Sequence, residues 1–82
     1  MTKLSEEEVF RILEESLSLE SGEVNSSTTM EDLVSWDSLG HLNILVALDL
    51  SLDGKVSHLP GLASANSVEK ILSVLKENSL LK

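Results

Sequence analysis

The stretch VSWDSLGHLNILVALDL, residues 34–50, decides how the rest of the chain is read. From Ser38 to about Leu50 it is the most apolar run present, and Leu39, Leu42, Val46 and Leu50 recur at three- and four-residue intervals, which predicts one stripe of an α-helix. Ile44, Leu45 and Leu48 widen that stripe, leaving Gly40, Asn43, Ala47 and Ser51 as a narrow strip without large apolar side chains. A helix this greasy is predicted to pack over most of its circumference. It is therefore read as the central helix, with Leu39 turned inward. Its start is less usual: an acid and a serine, Asp37 and Ser38, directly behind the only tryptophan, Trp36.

Upstream, residues 21–36 are rich in Ser, Thr and Asn, with Val24, Met30, Leu33 and Val34 as apolar anchors, and they read as a loop. A connection longer than about 12 residues in so small a chain must either cross the domain or serve a function. Before it, Ser5 with Glu6, Glu7 and Glu8 forms a helix start, with Ser5 as cap and Glu8 completing a capping box. Val9, Ile12, Leu13 and Leu17 give this first helix its buried face, with Arg11, Glu14 and Glu15 outward, and it is predicted to end near Glu20, before Gly22. Downstream, Asp53 and Gly54 signal a turn, and Pro60 and Gly61 limit SHLPGLAS to a short helical turn. Ser67 caps a last helix with Val68, Ile71, Leu72 and Leu75 buried, and KENSLLK reads as a fraying end. The expectation is an all-α bundle of three main helices and one short one, a single domain over residues 1–82, with no internal repeat.

Composition narrows the partners. The chain has 82 residues and no cysteine, so neither disulfides nor thiolate metal sites hold it together. Fourteen acidic against six basic side chains disfavour nucleic acid and anionic membranes and favour basic partner proteins. No run is long enough for a bilayer span and the N-terminal residues do not read as a signal peptide, which makes a cytoplasmic, monomeric protein the expectation. On the same ground the Asn25–Ser27 sequon is not expected to be glycosylated.

Ser38 is the residue whose reading matters for function. A serine at a helix N-terminus is ordinarily a cap. This one also ends a long polar loop and opens the central helix, where a phosphate ester would meet free backbone N–H groups and the positive end of the helix dipole.

WDSLGHL, residues 36–42, resembles the attachment motif of acyl carrier proteins, in which an Asp-Ser-Leu triplet opens the second helix. The resemblance extends over nearly the whole chain, through the capped first helix, TTMEDL in the long loop, the short third helix and ANSVEKIL at the start of the last one. It implies an acyl-carrier-protein-like four-helix bundle that is not an enzyme. Ser38 would receive 4'-phosphopantetheine from coenzyme A through a separate phosphopantetheinyl transferase, and the terminal thiol would hold an acyl group as a thioester for acyl-loading and acyl-processing enzymes. Asp37 would engage the transferase or its magnesium; Leu39, Leu42, Asn43 and Val46 would belong to the docking surface; and Leu42, Val46 and Leu62 would line a cleft for the acyl chain. One departure is plain: Gly40, His41, Asn43 and Ala47 stand where carriers of fatty acid synthesis usually place docking acids, leaving Asp49. That favours a specialised biosynthetic pathway whose partners dock less by charge. Trp36, in place of the common small residue, points the same way, and it also suits a plug that seats the loop on the core.

Other readings compete. DLSLDGKVSHLP spells much of a calcium loop, with Asp49, Ser51, Asp53 and Ser57 at ligand positions and Gly54 at the turn, but the twelfth position, which needs a bidentate Glu, is Pro60. Leu50 and Leu52 also read as core there. A nucleophilic enzyme would use Ser38 with His41, one turn on, or His58, yet it lacks an orienting acid and an oxyanion loop, and lone histidines are usually surface residues. The remaining alternatives are a peptidyl or aminoacyl carrier and an unmodified helical interaction domain in which Ser38 is a plain cap.

Overall fold

The computed structural model describes residues 3–82, apart from the side chains of Ser57, His58 and Pro60. Its elements are α1 (Glu6–Ser16), α2 (Ser38–Ser51), α3 (Pro60–Ala63) and α4 (Val68–Glu77), with 3-10 turns at Met30–Asp32 and Lys55–His58. Two isolated bridges are the only extended pairing among the described residues. The protein is a small all-α bundle.

The start of α1 is built as the sequence predicts. Ser5 Oγ accepts from the Glu8 amide at 3.2 Å and the Glu8 carboxylate accepts from the Ser5 amide at 3.0 Å. Those hydrogen bonds, the backbone one first, hold the Glu8 carboxyl below its ordinary range. Val9, Leu13 and Leu17 are buried as expected, but the helix ends at Ser16, short of Glu20, with Leu17 as C-cap and Ser18 in the left-handed region at φ 58°. Glu14 is also not on the wet side. It is buried, and one of its carboxylate oxygens accepts from the amides of Gly22 at 2.8 Å and Val24 at 3.1 Å. The loop supplies two backbone donors, which is what lets an acid sit inside.

The long loop is fastened along its length. Val24 and Thr28 are buried, Met30 N–H reaches Asn66 O at 2.8 Å, and Val68 N–H reaches Thr28 O at 3.0 Å, so the loop crosses to the start of α4. Met30 and Leu33 lie against the core, whereas Val34, expected as an anchor, is fully exposed.

The orientation of α2 differs most from the sequence expectation. Its buried residues are Gly40, His41, Ile44 and Leu48, continued by Leu52 after its end. Leu39, Leu42, Val46 and Leu50, the stripe assigned to the core, are between 53% and 77% exposed. At about 100° per residue the two sets lie on opposite faces, and both have helical spacing. Gly40 decides between them. A Cβ there would stand 2.3 Å from Ser35 O and 2.8 Å from Leu17 Cδ2, so the loop backbone and the end of α1 press directly on the first turn of α2. The side without a side chain faces in.

After α2, Asp53 (φ 55°) and Gly54 (φ 81°) make the expected turn, and the short α3 buries Leu62. Ser67 caps α4 by accepting from Lys70 N–H at 3.2 Å, and Val68, Ile71 and Leu75 enter the core with Leu72 partly covered. The tail does not fray as predicted. Leu80 is buried, Leu4 N–H donates to Leu80 O at 2.9 Å, and Lys82 N–H donates to Leu4 O at 2.8 Å. A leucine with a place in the core ties the end down.

Candidate functional site

The site begins with a division of labour between Asp37 and Ser38. Asp37 is the N-cap of α2, with extended backbone, and its carboxylate accepts from Gly40 N–H at 2.8 Å. Ser38 is thus the first helical residue and is exposed, and its hydroxyl makes no hydrogen bond among the described residues. The reading of Ser38 as a plain cap is overturned: the helix is capped without it. The amides of Ser38 and Leu39 have no intrahelical acceptor at this end, which leaves donors beside the hydroxyl.

Around Ser38 lies a depression of about 500 Å³ lined by Thr29, Met30, Glu31, Trp36, Asp37 and Asn66, with Ser38 at its edge. Its walls come from the loop, its 3-10 turn and the approach to α4, which is why the loop had to cross the molecule. Glu31 and Asp37 make the rim acidic. The helix end favours an anion there, and the two carboxylates oppose one.

Trp36 seats the loop in the core at 2% exposure, as the sequence suggests. His41 departs from expectation. It is 8% exposed, its Nδ1 accepts from Trp36 Nε1–H at 3.1 Å, and its Nε2 lies 2.8 Å from Leu62 O. Because Nδ1 accepts and a carbonyl can only accept, the ring carries its proton on Nε2. The two rings lie side by side and nearly coplanar along that bond, with centroids 6.1 Å apart and an interplanar angle of 19°. Both nitrogens are committed away from Ser38, so the pairing of Ser38 with a His41 base is not formed. His58, the other base considered, lies outside the described side chains.

A second concavity, about 310 Å³, runs between α2 and the segment containing α3, lined by Leu45, Val46, Asp49, Val56, Leu59, Leu62 and Ala63. Val46 and Leu62 border it as predicted, but Leu42 does not: it points to solvent with Leu39 and Leu50. Asn43 is exposed beside that outward stripe. The calcium-loop reading fails on backbone. Asp49 and Ser51 lie inside α2, where a helix cannot wrap them around an ion, and no group of three or more His, Cys, Asp or Glu suited to a metal occurs among the described residues. Leu50, expected as core in that stretch, is exposed, and Leu52 is fully buried.

His41, which the sequence suggests as a surface residue, is structural. The signal was present, since His41, Ile44, Leu48 and Leu52 have helical spacing too, and counting histidine as a polar surface residue hid it. No family model matches the chain, and neither a curated protein nor a solved structure matches it.

Proposed function

We propose that this chain is a stand-alone acyl carrier protein with the corresponding bundle fold, and that Ser38 is the attachment point for 4'-phosphopantetheine. The observation that carries the reading is the exposed, unengaged hydroxyl of Ser38 as the first residue of α2, with Asp37 performing the capping. The fit is physical as well as positional. A hydroxyl at a rim opening onto about 500 Å³ of mixed polar and apolar surface has room for an arm with amides and methyl groups, and Thr29 and Asn66 offer polar contacts along the way. Bound there, the arm supplies the thiol that a chain without cysteine lacks, for carrying an acyl group as a thioester.

Attachment joins Ser38 Oγ to the phosphorus next to pantetheine in coenzyme A. The pyrophosphate bond breaks, adenosine bisphosphate leaves, and the Oγ proton passes to a base on the transferase. The acidic rim fits a reading in which the transferase and its magnesium bring the anionic donor in, with Asp37 the carboxylate nearest in sequence. The α2–α3 cleft, whose lining is apolar except for Asp49, favours an acyl over an aminoacyl cargo.

The outward stripe of α2 supports docking by apolar contact at Leu39, Leu42 and Val46 beside Asn43, in keeping with a specialised pathway and with partners that read shape more than charge. The same stripe is what an unmodified interaction domain would show, so covalent loading separates the two readings. Intact mass after incubation with coenzyme A, magnesium and a promiscuous phosphopantetheinyl transferase should rise by one phosphopantetheinyl group in the wild type and not in Ser38→Ala. An unchanged wild-type mass beside an active transferase and a folded chain refutes the proposal.

A further inference from the structure

We infer that His41 is a positioning residue that couples the α3 wall of the apolar cleft to the loop immediately before Ser38. Three segments meet at its imidazole: the loop through Trp36 Nε1–H, α2 through the residue's own backbone, and α3 through Leu62 O. Leu62 is both the carbonyl partner and a wall of the cleft. A helix of four residues cannot hold its place by its own ladder, so α3 depends on what fastens it. His41 fastens it to the indole of Trp36, two residues before Ser38.

The consequence is directional. A ligand that enters the cleft by displacing Leu62 strains the bond to Nε2, and a ring that tilts to follow Leu62 changes the acceptor seen by the indole. Occupancy of the cleft is therefore felt at the base of the attachment site. On the carrier reading, this lets loaded and empty protein differ beside Ser38, where a partner works; the coupling itself rests only on the hydrogen bonds.

The test uses the unmodified chain, by nuclear magnetic resonance, in the wild type, His41→Gln and His41→Leu. Glutamine can keep a donor and an acceptor, whereas leucine keeps only bulk. In His41→Leu, amide exchange at Leu62 and Ala63 should quicken about tenfold, the scale of one buried hydrogen bond, relative to Ile71 and Leu75 in α4. The Trp36 indole N–H resonance should move at the same time, and His41→Gln should restore a large part of both effects. Equal change at α3 and α4, or an unmoved indole resonance, overturns the coupling. If His41→Leu does not fold, Leu62→Val still decides: trimming the cleft wall must move the Trp36 indole N–H resonance, and an unmoved indole overturns the inference. None of these readouts involves coenzyme A, so failure here and failure of loading are separate results.

Discussion

At the scale of single residues, the decisive pair is Asp37 and Ser38, two adjacent polar side chains of which the sequence points to Ser38 as the ordinary cap. The Asp37 carboxylate holds Gly40 N–H, and the Ser38 hydroxyl holds no partner among the described residues. Asp37→Ala should therefore cost about 1 kcal/mol of stability, the usual loss for a side-chain cap, while Ser38→Ala should lie within about 0.5 kcal/mol of wild type. Urea unfolding of the two variants checks this, and a reversed order would return Ser38 to a capping role. The capping box of Ser5 and Glu8 was fully legible in the sequence, because both of its bonds are local. Glu14 and His41 were not. Their burial depends on partners 5 to 21 residues away that no local pattern announces.

At the scale of elements, the existence of α1, α2 and α4 could be read from periodicity, and the direction in which α2 faces could not. Its apolar residues supply two stripes of equal regularity, so the hydrophobic pattern carries almost no orientational information. What selects the inner face is the close approach at Gly40, a contact between elements. Leu42→Ser and Leu50→Ser should each change stability by less than about 1 kcal/mol, whereas Ile44→Ala and Leu48→Ala should cost about 2–5 kcal/mol. Comparable losses on both faces, measured by thermal and urea unfolding, would mean that the outer stripe is covered in solution. The site follows the same division. Ser38 at a helix start was evident from the sequence, but the depression beside it is made by Thr29, Met30 and Asn66, which meet through the pairing of the loop with the approach to α4.

At the scale of the whole molecule, the described chain folds to a radius of gyration of 11.3 Å, close to the roughly 11.7 Å typical of this length. The bundle is closed at its edge by the pairing of Leu4 with the last residues. Leu80→Ala should cost about 2–4 kcal/mol through its buried side chain, whereas a frayed end would tolerate the change without measurable loss. KENSLLK reads as a fraying end in the sequence, because the register of its last residues with Leu4 is a long-range fact. The placement of Trp36 has one more consequence. It is the only indole in a chain without tyrosine, and it is buried beside an imidazole and lies two residues before the serine proposed to be loaded. The protein thus carries an intrinsic fluorophore at the place where its chemistry is expected, and the colour and intensity of its ultraviolet emission can follow loading, acidification or docking in real time without a label.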